Sequence, residues 1–183
     1  MKSKKQNKNG FTLLELLVAV LVIGVIAAIA LPHYRLITLK AEYSQMVNIV
    51  RALGNAQEDF YLTHDRYTSD LNELTVTLPE GLEVGAEGRY YIGKCGLQLG
   101  TNYMSGILFK GERRIASYTF YYKLSNTTNS TGRGITRCVT YASYKDLGDK
   151  ICKSLGGKIY SNNYSKCGTT GNTVCNTYTL YYH

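Results

Sequence analysis

A chain of 183 residues, 44% of them apolar, has room for one ordinary domain and an accessory segment. Its net charge is +8, but Lys2, Lys4, Lys5 and Lys8 lie within the first ten residues, so the remainder is too weakly basic to argue by itself for nucleic acid. The five cysteines, Cys95, Cys138, Cys152, Cys167 and Cys175, form no C-x-x-C pair, and His33, His64 and His183 are scattered far from them, which argues against a zinc site.

Between Phe11 and Leu31 every residue is apolar or small except Thr12 and Glu15. Three readings of this segment compete. A removable secretory signal is suggested by the basic start and by Ala28-Ile29-Ala30 as a small-x-small cleavage site. Such apolar cores are usually ~7–15 residues long and do not begin with a glutamate. A plain membrane anchor fits the length better, since the run from Phe11 to Leu31 spans roughly 32 Å as a helix, enough to cross the hydrocarbon core. The basic leader would stay cytoplasmic and the remainder would pass outside. Neither reading explains Glu15.

The third reading starts at the junction of leader and helix. Gly10, Phe11, Thr12, Leu13 and Glu15 resemble the start of the type IV pilins and their relatives, the secretion pseudopilins and competence pilins. Gly24 and Pro32 match interruptions that family often carries lower in the helix, and the ten-residue leader resembles its short-leader subclass. The resemblance covers the first quarter of the chain. It implies a structural filament subunit rather than an enzyme, with no cofactor. A membrane-embedded prepilin peptidase would cut between Gly10 and Phe11 and methylate the new amine of Phe11. The subunit would wait in the inner membrane, its C-terminal domain periplasmic, until the pilus assembly machinery added it to an extracellular homo-oligomeric filament. Lateral association of the N-terminal helices would form the filament core.

The chemistry of Glu15 agrees with this. Cleavage creates an amine at Phe11, one turn away and at the helix end whose dipole favours an anion. The carboxylate would pair with that amine in its own chain or in a neighbour, and in the second case it fixes axial register between greasy helices. The alternative is an interfacial glutamate reaching for lipid head groups.

Past the apolar run, Ile37, Ala41, Met46, Val47, Val50, Leu53, Ala56, Phe60 and Tyr61 lie near helical steps, with Lys40, Glu42, Arg51, Glu58 and Asp59 between them. The pattern predicts one helix from Thr12 to Leu62 whose second half packs on its own domain. Pro32 lacks the amide that would bond back to Ala28, and Gly24 is a poor helix former, so a kink is expected between them.

After His64 a helical turn is predicted with Asp70 and Glu73 spaced as a capping box. β-rich runs follow at 89–93, 106–110, 117–124, 135–143, 158–160 and 177–183, separated by turn residues. Tyr118, Phe120 and Tyr122 alternate with Thr119, Tyr121 and Lys123, the pattern of a sheet buried on one face. The fold class expected is α+β: a long N-terminal helix packed against an antiparallel sheet, with a disulfide-stabilised C-terminal region. The expected division is a leader 1–10, a transmembrane and filament-core half-helix 11–33, an amphipathic half 34–62 and a head 63–183.

An oxidising compartment would let the cysteines pair. Cys138 sits on a predicted strand and Cys152 in a helical turn shortly after it, while Cys167 and Cys175 bracket a Gly/Thr loop. The favoured pairs are Cys138–Cys152 and Cys167–Cys175. Cys95 is then either a buried small hydrophobe or the true partner of one of the four. The family often has a disulfide-bounded region near its C-terminus, and a second pair departs from that pattern.

Other signals are weak. Sequons at Asn126, Asn129 and Asn163 fall at turn positions, where asparagine often serves the backbone. The 17 tyrosines are read mainly as sheet–helix packing. Calcium, which many secretion pseudopilins hold, would find only Asp146 and Asp149 in the C-terminal loops. No phosphate loop, nucleophile elbow or catalytic carboxylate pair is present. The reading is therefore a type IV pilus subunit supporting adhesion, twitching motility or DNA uptake, with a type II secretion pseudopilin as runner-up. A DNA-binding minor pilin would need Lys110, Arg113, Arg114 and Lys123 on one exposed face.

Overall fold

A computed structural model describes residues 11–77, 79–85, 89–123, 134–162 and 173–180. By internal contacts the chain divides into two units, Met1–Leu39 and Lys40–His183. Helix α1, Leu13–His64, supplies both: most of the described part of the first and the opening of the second. Its assignment as helix runs unbroken through Gly24 and Pro32.

In the second unit, α1 presents Tyr43, Met46, Val47, Val50, Leu53, Gly54, Gln57 and Phe60 to the core. These steps of three and four residues make one stripe. The stripe departs from the expected one. Ala41 is exposed and Ala56 and Tyr61 are only half-buried, while Tyr43, Gly54 and Gln57 belong to the core face instead. Hydropathy misplaces such positions because a glycine and a glutamine look like surface. Gly54 is buried because the Phe120 ring needs its space: a Cβ there would stand 2.7 Å from Cδ1. Gln57 is fully buried because its amide serves the returning backbone, donating to Thr68 O at 2.6 Å and accepting from Thr68 N at 3.1 Å.

The turn at Leu71–Glu73 is a 3-10 one, and its capping differs from the predicted box. Asp70 accepts from Asn72 N at 2.9 Å, while Glu73 turns to Arg66 at 3.0 Å. A three-residue 3-10 turn is too tight for the reciprocal bond that a full helical turn allows.

Strands β1 (Glu83–Val84), β2 (Arg89–Ile92), β3 (Cys95–Leu99), β4 (Tyr103–Lys110), β5 (Arg113–Tyr121) and β6 (Thr136–Tyr141) follow. Helix α2 (Lys145–Ser154) precedes β7 (Lys158–Asn162) and β8 (Val174–Leu180). All pairings are antiparallel, in the order β1-β2-β3-β4-β5-β6-β8-β7. Each predicted β-rich run holds a strand. Unforeseen were β1 and β3, the latter because Gly96 and Gln98 dilute a short apolar run that only its neighbours β2 and β4 define.

The sheet buries Leu97, Leu99, Met104, Leu108, Tyr118 and Cys138 on the face that meets α1. Close approach is set at Gly106, where a Cβ would lie 2.7 Å from Met46 Cγ and from Val50 Cγ2. Tyr43 of α1 donates its hydroxyl to Ser117 O at 3.1 Å and touches Cys138 Sγ at 2.8 Å. Helix α2 is tied to β6 by the disulfide Cys138–Cys152. A long helix, an antiparallel sheet packed on it and a disulfide in the C-terminal region thus form the expected α+β fold.

Candidate functional site

The first unit contains the feature that most needs a function. Every described residue from Phe11 to Arg35 is exposed, including Phe11 (86%), Leu13 (76%) and Ile29 (65%). Apolar side chains of this size contribute about 1.5–3 kcal/mol each when covered, so a continuous bare run demands lipid or protein around it. Among the described residues α1 is the one helix long and apolar enough to cross a membrane.

At its start, Thr12 and Glu15 cap the helix reciprocally. Thr12 N and Thr12 Oγ1 both donate to Glu15 Oε2 at 2.9 Å, and Glu15 N donates to Thr12 Oγ1 at 3.3 Å. This is the capping box, T-x-x-E, with Thr12 as N-cap. The T-x-x-E spacing from Thr12 to Glu15 signals this cap in the sequence, and the charge of Glu15 masks it. Both bonds fall on Oε2, so Oε1 is directed at neither of the Thr12 donors. Phe11 stands directly before the cap, and Gly10 lies outside the described residues. At Gly24 an added Cβ would meet no atom within 4 Å. At Pro32 the helix continues although one amide is missing.

This segment also carries a family match. Residues 5–31 fit the family described as the prokaryotic N-terminal methylation motif. The chain is similar to type IV pilins and to a type II secretion protein. The chain is 34% identical over 87 residues to the type IV major pilin protein PilA of Myxococcus xanthus, covering 48% of this chain and 40% of that protein. It is 31% identical over 72 residues to the type IV major pilin protein PilE1 of Neisseria gonorrhoeae, covering 39% of this chain and 44% of that one. Against the type II secretion system core protein G of Klebsiella michiganensis it is 31% identical over 90 residues, 48% of this chain and 61% of the relative. The match therefore spans less than half the length of either pilin. No solved structure matches the chain.

The remaining residues of the pilin-like reading fall as follows. Cys138 and Cys152 are joined, with Cα atoms 5.7 Å apart. Cys175 is disulfide-bonded and buried, while Cys167 lies outside the described residues. Cys95 is a free, buried thiol on β3. Burial, and then the nearby Glu42 carboxylate, push it up to about 11, so it stays a neutral small hydrophobe at ordinary pH. Asn126, Asn129, Asn163 and His183 lie outside the described residues.

The four cations considered for DNA are not gathered on one face. Lys110 and Arg113 face each other across the β4–β5 turn, and Lys110 Nζ sits 5.2 Å from the Tyr144 ring centre. Arg114 pairs with Phe109 and lies over Tyr141 at 5.6 Å. Lys123 is beyond the other end of β5, where its backbone N–H donates to Glu58 at 2.7 Å. Strand alternation puts Arg113 and Arg114 on opposite faces, which adjacency in the sequence conceals.

Proposed function

We propose that this chain is a structural, non-enzymatic subunit of a type IV pilus, built into a homo-oligomeric filament through its N-terminal helix. A prepilin peptidase would cut between Gly10 and Phe11 and methylate the Phe11 amine. The observation that carries the reading is a membrane-length apolar helix, exposed throughout, that opens on the prepilin motif with a carboxylate in its first turn. Before cleavage Glu15 caps its own helix. Cleavage then places an ammonium group beside a carboxylate that still has an oxygen to offer. An ion pair between neighbouring copies would bury both charges and set the axial step of the filament.

In this reading the subunit rests in the inner membrane with residues 40–183 on the periplasmic side, then moves to an extracellular filament. Gly24 and Pro32 would be the compliant points of the packed helix. Adhesion, twitching motility and DNA uptake are roles of the assembled filament. Intact-mass analysis of protein from sheared surface filaments should give a chain beginning at methylated Phe11. A chain beginning at Leu31 would mean an ordinary signal peptide and end the reading.

One observation favours a second reading: the match reaches a larger share of the secretion protein, 61%, than of either pilin. A pseudopilus is confined to the periplasm. Immunogold labelling of intact cells therefore separates the two, with surface filaments decorated only if the chain is a pilus subunit.

A further inference from the structure

The sheet ends on β1 at one side and on β7 at the other, and the two edges differ in charge. Between Glu58 and Gly88 the chain carries eight acids against one base, Arg66, whereas from Arg89 onward it carries 13 bases against three acids. The sheet order holds the ends of these stretches apart. Glu80 and Glu83 are exposed at the β1 edge and Lys158 at the β7 edge, and none of the three has an ion pair among the described residues. Each edge also bares apolar surface, Val84 on β1 and Ile159 with Tyr160 on β7.

The two edges also match in facing. Cross-strand pairing puts Val84 with Tyr90 and Leu97 on the sheet face toward α1, and Glu83 with Tyr91 on the opposite face. At the other end Ile159 shares the α1 face with Tyr178 and Cys138, and Lys158 shares the opposite face with Thr179 and Arg137. All seven pairings are antiparallel, so β1 and β7 run in opposite directions. A copy added to this edge in the same orientation continues the alternation. With Val84 opposite Ile159, the two apolar groups meet on one face. Glu83 then stands opposite Tyr160 on the other, one diagonal step from Lys158. Arg137 backs that position. Its guanidinium lies 4.9 Å from the Tyr160 ring centre and 5.2 Å from that of Tyr121, and its buried Nε has no acceptor among the described residues.

We infer that the β1 edge of one copy docks on the β7 edge of a second copy of this chain. A lysine on an edge strand ordinarily keeps strands apart. Here it repels a second β7 edge and attracts β1, so like edges separate and unlike edges join. A contact between two different patches of identical subunits passes from copy to copy, and builds an open helical array when its rotation does not close. The patch is small, so it holds only where something else keeps the copies together and raises their effective concentration. The inference rests on the pilus reading for that, and adds to the helix contact a second one between sheets.

The test uses filaments sheared from cells that express the full-length chain with both Val84→Cys and Ile159→Cys. Opposite residues of an antiparallel pair have Cα atoms about 4.5–5.5 Å apart, within disulfide range. Mild oxidation should therefore give a ladder of covalent multimers on a non-reducing gel, and each single variant should stay monomeric. Filaments of the double variant that give no ladder overturn the inference. So do dimers from Ile159→Cys alone, which would mean that β7 meets its own copy. Charge is tested in the same background. Lys158→Glu should slow the ladder about fivefold, the size of one exposed ion pair, and adding Glu83→Lys should restore it. A rate that Lys158→Glu leaves unmoved overturns the charge match and the inference with it. Should the cysteines themselves stop assembly, the two charge reversals without cysteine read the contact through filament yield, lowered by each and restored by both together; equal yields in all overturn it. Cells of the unaltered chain without filaments would end the pilus reading itself, a failure distinct from normal filaments without the edge contact.

Discussion

The two parts of α1 have the same backbone and opposite surroundings. Residues 13–35 bury nothing, whereas the part from Lys40 to His64 buries seven side chains and Gly54 within its own unit. Local hydrogen bonds alone seldom hold a helix in water, so each part needs an environment that repays its ordering. The second part finds it within the chain. The first must find it in lipid or in other copies. One element thus joins a region covered within its own chain to a region left bare, and changes to the two should fail in different ways.

The largest effect is expected at Glu15. Glu15→Ala removes both the cap and the charge, whereas Glu15→Gln keeps a side chain able to close the capping box. If Glu15 pairs with a neighbour's Phe11 amine, both variants should be cleaved and inserted yet form few or no filaments. The cost is about 3–5 kcal/mol for each buried charge left alone. If Glu15→Gln assembles normally and Glu15→Ala does not, the residue is a helix cap worth about 1 kcal/mol and no more. Electron microscopy of sheared surface material, alongside immunoblots of processed subunit in membranes, reads both outcomes.

Next comes the disulfide, which belongs to the second region alone. Replacing Cys138 and Cys152 together by alanine releases a loop of sequence separation 14. It should destabilise residues 40–183 by about 3 kcal/mol. Tyrosine near-UV dichroism of the full-length protein in detergent should show the sheet region melting earlier, with the helical signal of residues 13–35 kept. Equal loss of both signals would show that the regions fold as one.

The glycines sharpen the contrast further. Gly106→Ala drives a methyl group into Met46 and Val50 and should cost about 1–3 kcal/mol, as overpacking does. Gly24→Ala meets nothing in the single chain, so in detergent it should leave stability unchanged or raise it by up to about 1 kcal/mol. Chemical denaturation of the two variants under one set of conditions makes the comparison. An equal loss would place Gly24 in a contact that the single chain does not show.

A smaller effect than that of the disulfide is that of pH on Asp149. Burial opposes its ionisation, but hydrogen bonds from Lys145 at 2.8 Å and Asn176 at 3.0 Å outweigh it and hold the carboxyl below its usual range. A group depressed on folding contributes stability that is present above its unfolded value, about 3.9, and is lost as pH falls through the lower folded value. Asp149→Asn should remove that acid-side dependence and cost about 1.5 kcal/mol at neutral pH. An unchanged acid limb would assign the acid sensitivity to other carboxylates.

Much of this was legible in the residues because the strongest signals are local. A run without charges announces α1, and the aromatic and Thr-rich run Tyr118–Tyr122 announces a strand, but its alternation misleads: β5 buries Ile115 to Thr119 consecutively, on both faces, because elements pack on each side of it. What escaped depends on partners distant in sequence. Gln57 and Gly54 join the core only because Thr68 and Phe120 arrive there. Strand β3 is a strand because β2 and β4 flank it. The Thr12–Glu15 box was local and still passed unread, since a carboxylate beside a membrane-length run draws attention to its charge rather than to its geometry.

The clasp of Gln57 on Thr68 has a consequence for how this protein tolerates change. A carboxamide has the shape and polarity of a peptide group, and this one grips both the N–H and the C=O of one residue, as a neighbouring strand would. It recognises main chain and is indifferent to the side chain attached. The clasp itself therefore does not depend on which side chain stands at position 68, whereas Gln57 has no substitute: glutamate loses the donor and leucine loses both ends.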